Sequence, residues 1–322
     1  MPSTSPKSCP HPHPLDGYRM EAVVDRVQLM LTLQKATQAH ALRRHLPEHW
    51  KKPYVLSMAG QASHTDTQFT VWIQDPGGPD SIQHDLDTIA DKFSFSAPIE
   101  ICGVEVAIDL YLTGEPTSLS FDGVTQHLIK SHARPPSSDS RITWRDLYPS
   151  GAQKPRFKAA VAPREIREHL LLGHSVQSGE LNADDRSRYY IKRQDTVEEG
   201  QYLRLPEAEN RPRYERTLTG GMCPFSTIDA WKGFRFETLA RLFALRLRDR
   251  TPATPLISAM APWMRLGRVE DDGKRLRHMR VTARGTRADA RANSEVRDAL
   301  RRLTSVQRGT SRNLRHCKAA RA

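Results

Sequence analysis

Residues 186–195 read RSRYYIKRQD, a strand-like segment in which Tyr189 and Tyr190 sit among Arg186, Arg188, Lys192 and Arg193. A phenolic oxygen held beside fixed cations is suited to attack a phosphodiester, while the cations hold the phosphate and its developing charge. Adjacent residues alternate faces of a strand, so at most one of the two tyrosines faces a given pocket and the other packs. A second polar strand, RPRYERTLTG at 211–220, places Glu215 between Arg213 and Arg216. Upstream, VEVAIDLYL sets Glu105 and Asp109 four residues apart. Positions i and i+4 of a strand share a face, so both carboxylates point one way while Val104, Val106, Ile108 and Leu110 point the other. Acids crowded on one face repel, and a bound cation or an arginine relieves them. A nucleophile, carboxylates able to hold a divalent ion and a cationic surround together suit cleavage of a DNA strand.

The elements that must position these residues follow from pattern. EAVVDRVQLMLTL, within Tyr18–Leu33, reads as a strand that passes into a helix near Lys35–Leu46. YVLSMAG and QFTVWIQ, joined by the polar ASHTDT, read as a hairpin. DSIQHDLDTIADKF carries Ile82, Leu86, Ile89 and Ala90 at helical spacing. PIEICGVEVAIDLYL is one bulged strand or a tight hairpin about its glycine. Residues 134–158 are rich in Pro, Ser and Gly and read as a loop, and PREIREHLLLGH as a short helix. TIDAWKGFRFETLARLFALRLR reads as one long amphipathic helix, with Phe236, Leu239, Ala240, Phe243 and Leu247 as its core stripe. The later ADARANSEVRDALRRL has helical potential but few apolar anchors, and is expected to be a marginal helix or one formed on binding. Strands and helices thus mix with local hairpins. The fold class is α+β: a mostly antiparallel sheet, helices packed on one face and a basic C-terminal extension.

The chain has 322 residues and a formal charge of +12, with a pI of about 9.8, which favours polyanionic partners. From Arg265 to the end there are 17 Lys and Arg against 6 Asp and Glu, so nearly all the surplus sits in the tail. We therefore divide the chain into a disordered, Pro-rich N-terminus at 1–17, a body at 18–250 and a basic DNA-binding tail at 251–322. His11-Pro12-His13, in that first stretch, lacks partners for a metal site. No apolar run approaches the roughly 18–20 residues that span a bilayer. The opening residues lack the apolar core of a secretory signal. Four scattered cysteines read as reduced thiols, so a soluble cytoplasmic protein without membrane contact is the expectation.

In the order in which they occur, these strands resemble motifs of the trans-acting replication initiation factors of plasmids, filamentous phages and integrative elements, which start rolling-circle DNA replication. That family's late strand, R-x-Y-x-K, is matched by Arg188-Tyr189-Tyr190-Ile191-Lys192, with the polar Asp195 after it. Its next strand, R-[VYI]-E-[VIR]-x-L, is matched by Arg213-Tyr214-Glu215-Arg216-Thr217-Leu218. Its earlier acidic strand resembles Val104-Glu105-Val106-Ala107-Ile108-Asp109. The chain departs from the family in three places. SVQSGELNADD stands where an aromatic-Gly-x-Arg block is usual, Glu105 replaces an aspartate, and Val104 replaces an arginine.

The resemblance implies a metal-dependent tyrosine DNA endonuclease and strand transferase. Tyr190 would be the nucleophile, joining the 5′ end and releasing a 3′ hydroxyl. Arg188 and Lys192 would contact phosphate, and Glu105, Asp109 and Glu215 would hold Mg²⁺ or Mn²⁺. Expected partners are origin DNA, single-stranded or in an extruded hairpin, a second copy of the chain as a homodimer, and a host helicase. No His-hydrophobic-His pair occurs in the body, so the histidine-liganded class of nicking enzymes is not the template. Two other readings remain: a catalytically silent DNA-binding regulator of a mobile element, and an assembly protein whose tail collects nucleic acid.

Overall fold

The structure, a computed structural model, describes residues 13–58, 65–114, 120–132, 142–146, 157–159, 166–178, 183–198, 201–248 and 286–319. Strand β1 (Tyr18–Thr37) is followed by helix α1 (Ala39–Arg43), then by β2 (Lys51–Ser57), β3 (Asp66–Gln74), α2 (Pro79–Ala90) and β4 (Glu100–Leu112). Next come α3 (Phe121–Ser131), β5 (Ile142–Asp146), β6 (Phe157–Ala159), α4 (Ile166–Leu171), β7 (His174–Ser178) and β8 (Asp185–Lys192). The chain continues through β9 (Gln194–Glu198), β10 (Gln201–Arg204), β11 (Arg211–Thr219), α5 (Ile228–Gly233), β12 (Arg246–Arg248), β13 (Thr286–Ala288) and α6 (Ala290–Ala319).

Nine strands form one antiparallel sheet in the order β2-β3-β1-β4-β11-β8-β7-β5-β6. The α+β architecture therefore stands as expected. Helix α3 packs on β8 and β11, and α6 packs on β1, so helices line one face. That face is apolar: Val104, Val106, Ile108 and Leu110 of β4 are all buried, as alternation of the strand requires. They join Val27, Leu29 and Leu31 of β1, Leu86 and Ile89 of α2, and Leu128 and Ile129 of α3 in one core. The opposite face of the central strands carries the charged residues. The strand β9, which leads on from β8, touches β2 at the far edge of the sheet, as a strongly curled sheet allows.

The structure departs from the pattern reading in four places. The expected long helix after β11 is broken into α5, a 3₁₀ segment Phe236–Phe243, and β12. Aromatic packing breaks it. Trp231, Phe234 and Phe236 all turn onto Phe225, a set of positions that no single helical stripe provides. The buried Phe236, Leu239 and Leu242 then recur every three residues, the period of a 3₁₀ helix.

The Arg/Ala-rich segment, expected to be marginal, instead forms the 30-residue α6. Its Ala292, Val296, Ala299, Leu300 and Leu303 are buried in the common core. Thr304 accepts from the backbone N–H of Phe236 at 2.9 Å, and Arg302 donates to the carbonyl of Met20 at 2.8 Å. Two of these five anchors are alanines, which a search for large apolar side chains passes over. The first described residues are also engaged: His13 meets Asp289 at 2.8 Å, and Arg291 meets Asp16 at 2.5 Å. Within the expected loop at 134–158, β5 and β6 occupy the sheet edge, and the rest lies outside the described residues.

Candidate active site

Four neighbouring strands bring the charged residues together. In register, Arg213 of β11 stands opposite Tyr190 of β8 and Asp109 of β4, while Glu215 stands between Arg188 and Ala107. Thr217 lies opposite Glu105 and donates to its Oε2 at 2.8 Å. Alternation thus places Tyr190, Arg188, Lys192, Arg213, Glu215, Glu105 and Asp109 on the face away from the helices. Ala107, the residue across from Glu215, contributes no more than a methyl group, so the larger side chains on either side have room to converge.

The first strand adds a residue that the motifs do not contain. Pairing between β1 and β4 runs Val24 with Val106, then Arg26 with Glu105, which leaves Asp25 as an extra, bulged residue. A bulge re-aims a side chain and is favoured beside active sites. Asp25 is 3% exposed although both flanking strands are apolar on their other face. Its Oδ1 accepts from Arg213. The sequence signal was an acid inside the apolar run VVDRV, where alternation fails.

Arginines donate to all four acids, and the spacing of the carboxylate oxygens sorts them into two groups. Asp109 is held by arginines: Arg213 donates to it at 2.5 and 2.7 Å, and Arg211 at 2.8 Å. Asp25, Glu105 and Glu215 instead each offer one oxygen within 4.8 Å of the other two. All three are buried, and carboxylate oxygens are the donors that Mg²⁺ and Mn²⁺ prefer, so this set could hold such an ion. The structure thus brings Glu105 and Glu215 together with Asp25, and Asp109 lies outside that group.

Tyr190 is 5% exposed, and its hydroxyl donates to Oε1 of Glu215. Arg188 lies with its guanidinium 5.2 Å from the centre of the Tyr190 ring. It donates to Glu215 Oε2 at 2.6 Å and reaches Glu105 Oε1 at 3.4 Å. Lys192 pairs with Asp195 at 2.6 Å. Each cation of the cluster thus has an acidic partner: Arg188 has Glu215 and Glu105, Lys192 has Asp195, Arg211 has Asp109, and Arg213 has Asp109 and Asp25.

Protonation follows from burial and partners. Burial, followed by the charge of Glu215, pushes the Tyr190 hydroxyl well above the usual phenol range against the pull of Arg213 and Arg188. Burial also raises Glu215 to about 7, with Arg188 opposing it. Burial acts to raise Asp25 as well, but Arg213, Lys192, Arg26 and Arg188 outweigh it and hold that carboxyl well below the usual range. Asp109 is lowered in the same way by Arg213 and Arg211. Near neutral pH the Tyr190 phenol keeps its proton, and the Glu215 carboxyl that accepts its hydrogen bond is near the midpoint of its own titration.

Tyr189 is on the opposite face, fully buried, with its hydroxyl 2.5 Å from Nδ1 of His132. Nε2 of the same histidine contacts the Tyr214 hydroxyl, which donates to the Leu242 carbonyl at 2.9 Å. The Tyr189 and Tyr214 rings stack at 4.7 Å. This is core packing with its polar tips paired, as the alternation of adjacent residues predicts.

No family model and no curated protein matches the chain. A comparison of folds finds similarity to the structure of a rolling circle replication initiator protein from Geobacillus stearothermophilus. The identity is 12% and the TM-score 0.33, over 82% of this chain and 96% of that one. Among the described residues, no helix is long and apolar enough to cross a membrane.

Proposed function

We propose that the chain is a rolling-circle replication initiator, a DNA nickase and strand transferase acting through a 5′-phosphotyrosine. One observation carries this reading: the Tyr190 hydroxyl donates to Glu215 inside a group of three converging carboxylates. The Tyr190 oxygen attacks the scissile phosphorus, the phenolic proton passes to Glu215, and the bond from phosphorus to the 3′ oxygen breaks. The 3′ oxygen leaves as a hydroxyl after taking a proton from water, and the 5′ phosphate stays on the tyrosine. Rejoining is the reverse: a 3′ hydroxyl attacks the phosphotyrosine, and Glu215 returns its proton to the departing phenolate.

Arg188 and Lys192 flank the nucleophile along β8 and hold the phosphate, whose charge grows as the phosphorus becomes five-coordinate. Asp25, Glu105 and Glu215 are the residues that would hold Mg²⁺ or Mn²⁺. When bound, such an ion supplies positive charge to the phosphate oxygens. Asp109 fixes Arg211 and Arg213, and through Arg213 it orients Asp25. The arginines of the C-terminal region supply sequence-independent, salt-sensitive grip on the duplex.

The test is incubation with supercoiled DNA carrying the cognate origin and Mn²⁺. Open circles and a detergent-resistant protein–DNA adduct are expected. A shift of the same DNA without cleavage would instead identify a silent regulator, and binding to any sequence that is lost at moderate salt a mere collector of nucleic acid.

A further inference from the structure

Arg188 sits between the acids that would hold the ion. Its guanidinium touches Glu215 Oε2 at 2.5 Å and Glu105 Oε1 at 3.4 Å, two of the three members of the candidate set. A cation already fills part of the negative field there, and a divalent ion entering would stand beside a buried like charge. Arg188 also differs from its neighbours in access. Its side chain is 24% exposed, against 6% for Glu105, 0% for Glu215 and 3% for Arg213. It is therefore the cation of this cluster that an incoming phosphate meets first, and a guanidinium binds phosphate by the same two-pronged geometry as a carboxylate.

We propose that Arg188 couples metal loading to DNA binding. Without DNA it bridges Glu215 and Glu105 and keeps the ion's affinity low. A DNA phosphate draws the guanidinium outward and frees both carboxylates, and the ion then binds beside Tyr190. The coupling is reciprocal, so the ion tightens DNA binding by the same factor. The consequence is that the nucleophile is armed where a phosphate is already seated. This rests on the metal-assisted reading above and adds its control.

Free Mn²⁺, counted by its paramagnetic resonance signal, measures loading without any cleavage. For the wild-type chain, a short oligothymidylate should tighten Mn²⁺ binding on the order of tenfold. Arg188→Gln should bind Mn²⁺ that tightly on its own and gain nothing from the oligonucleotide, whereas Arg188→Lys, which keeps a charge, should retain part of the coupling. The wild-type comparison with and without oligonucleotide stands even where a variant fails to fold. Equal Mn²⁺ affinity in both wild-type conditions would overturn the coupling while leaving the metal site intact. Absence of Mn²⁺ binding in every condition would remove the metal reading itself, and the coupling with it.

Discussion

Strands β8 and β11 present two faces built from alternate residues of the same ten or so positions, and the two have opposite characters. Toward the helices, Tyr189, Tyr214 and His132 form a closed set in which each polar tip has a partner and the two tyrosine rings stack. Away from them, Tyr190, Glu215 and Arg188 form a charged set in which a phenol, an acid of raised pKa and a cation compete for shared oxygens. The first arrangement has one solution. The second has several, since a proton, a phosphate or a metal ion can each displace a present partner. On the proposed reading, stability and chemistry lie on opposite sides of one sheet, one residue apart.

The sharpest way to break this contrast is to remove one hydroxyl from each side. Tyr190→Phe should abolish the covalent adduct, a loss on the order of a thousandfold or more, while Tyr189→Phe should retain most of it at a temperature where both variants are folded. An adduct that survives in Tyr190→Phe means another group is the nucleophile, and equal loss in both means neither face is special.

Next in size is a comparison of two aspartates. Asp109→Asn leaves Arg211 and Arg213 buried with too little negative charge, and should cost about 3–5 kcal/mol in urea unfolding. Asp25→Asn should cost less stability but lower the affinity for Mn²⁺. The reverse order would return Asp109 to the metal set.

His132→Phe removes a polar partner shared by two buried tyrosine hydroxyls and should destabilise by about 2 kcal/mol, with the position of the nick unchanged. A displaced nick would show that the face toward the helices also sets register for the reactive one.

The smallest effect is one of pH. Burial, and then His13, hold the His127 imidazole down at about 4. The folded chain therefore refuses a proton that the unfolded chain accepts near pH 6.5, and stability from this residue falls as pH drops from about 6.5 toward 4. His127→Gln should flatten that part of the melting profile by a few degrees, roughly 1–2 kcal/mol. An unchanged slope would mean that His127 protonates freely in the folded chain.

Much of this was written in local pattern. Alternation in VEVAIDLYL and RYYIK assigned the faces correctly, because a period of two leaves no freedom once one face is apolar. Tyr190, Arg188 and Glu215 come together because two adjacent strands pair residue against residue. The choice between Asp109 and Asp25 was not legible. It depends on a bulge in β1 and on where Arg211 and Arg213 point, and both are consequences of pairing between distant strands. The role of α6 escaped for a similar reason: beside Val296, Leu300 and Leu303, Ala292 and Ala299 become anchors through what they pack against, and their size alone gives no warning. The aromatic set around Phe225 likewise overrode a helical stripe whose spacing was sound.

The central strand β1 ends at Thr37, whereas α6, which packs on it, begins only at Ala290. Arg213, which orients Asp25, emerges 188 residues after it. On the ribosome, then, β1 waits for the interval up to Ala290 to be read before its cover arrives. A chain released between Lys192 and Arg211 would carry Tyr190 without the arginine that orients Asp25, so the charged cluster closes only once both segments have been made.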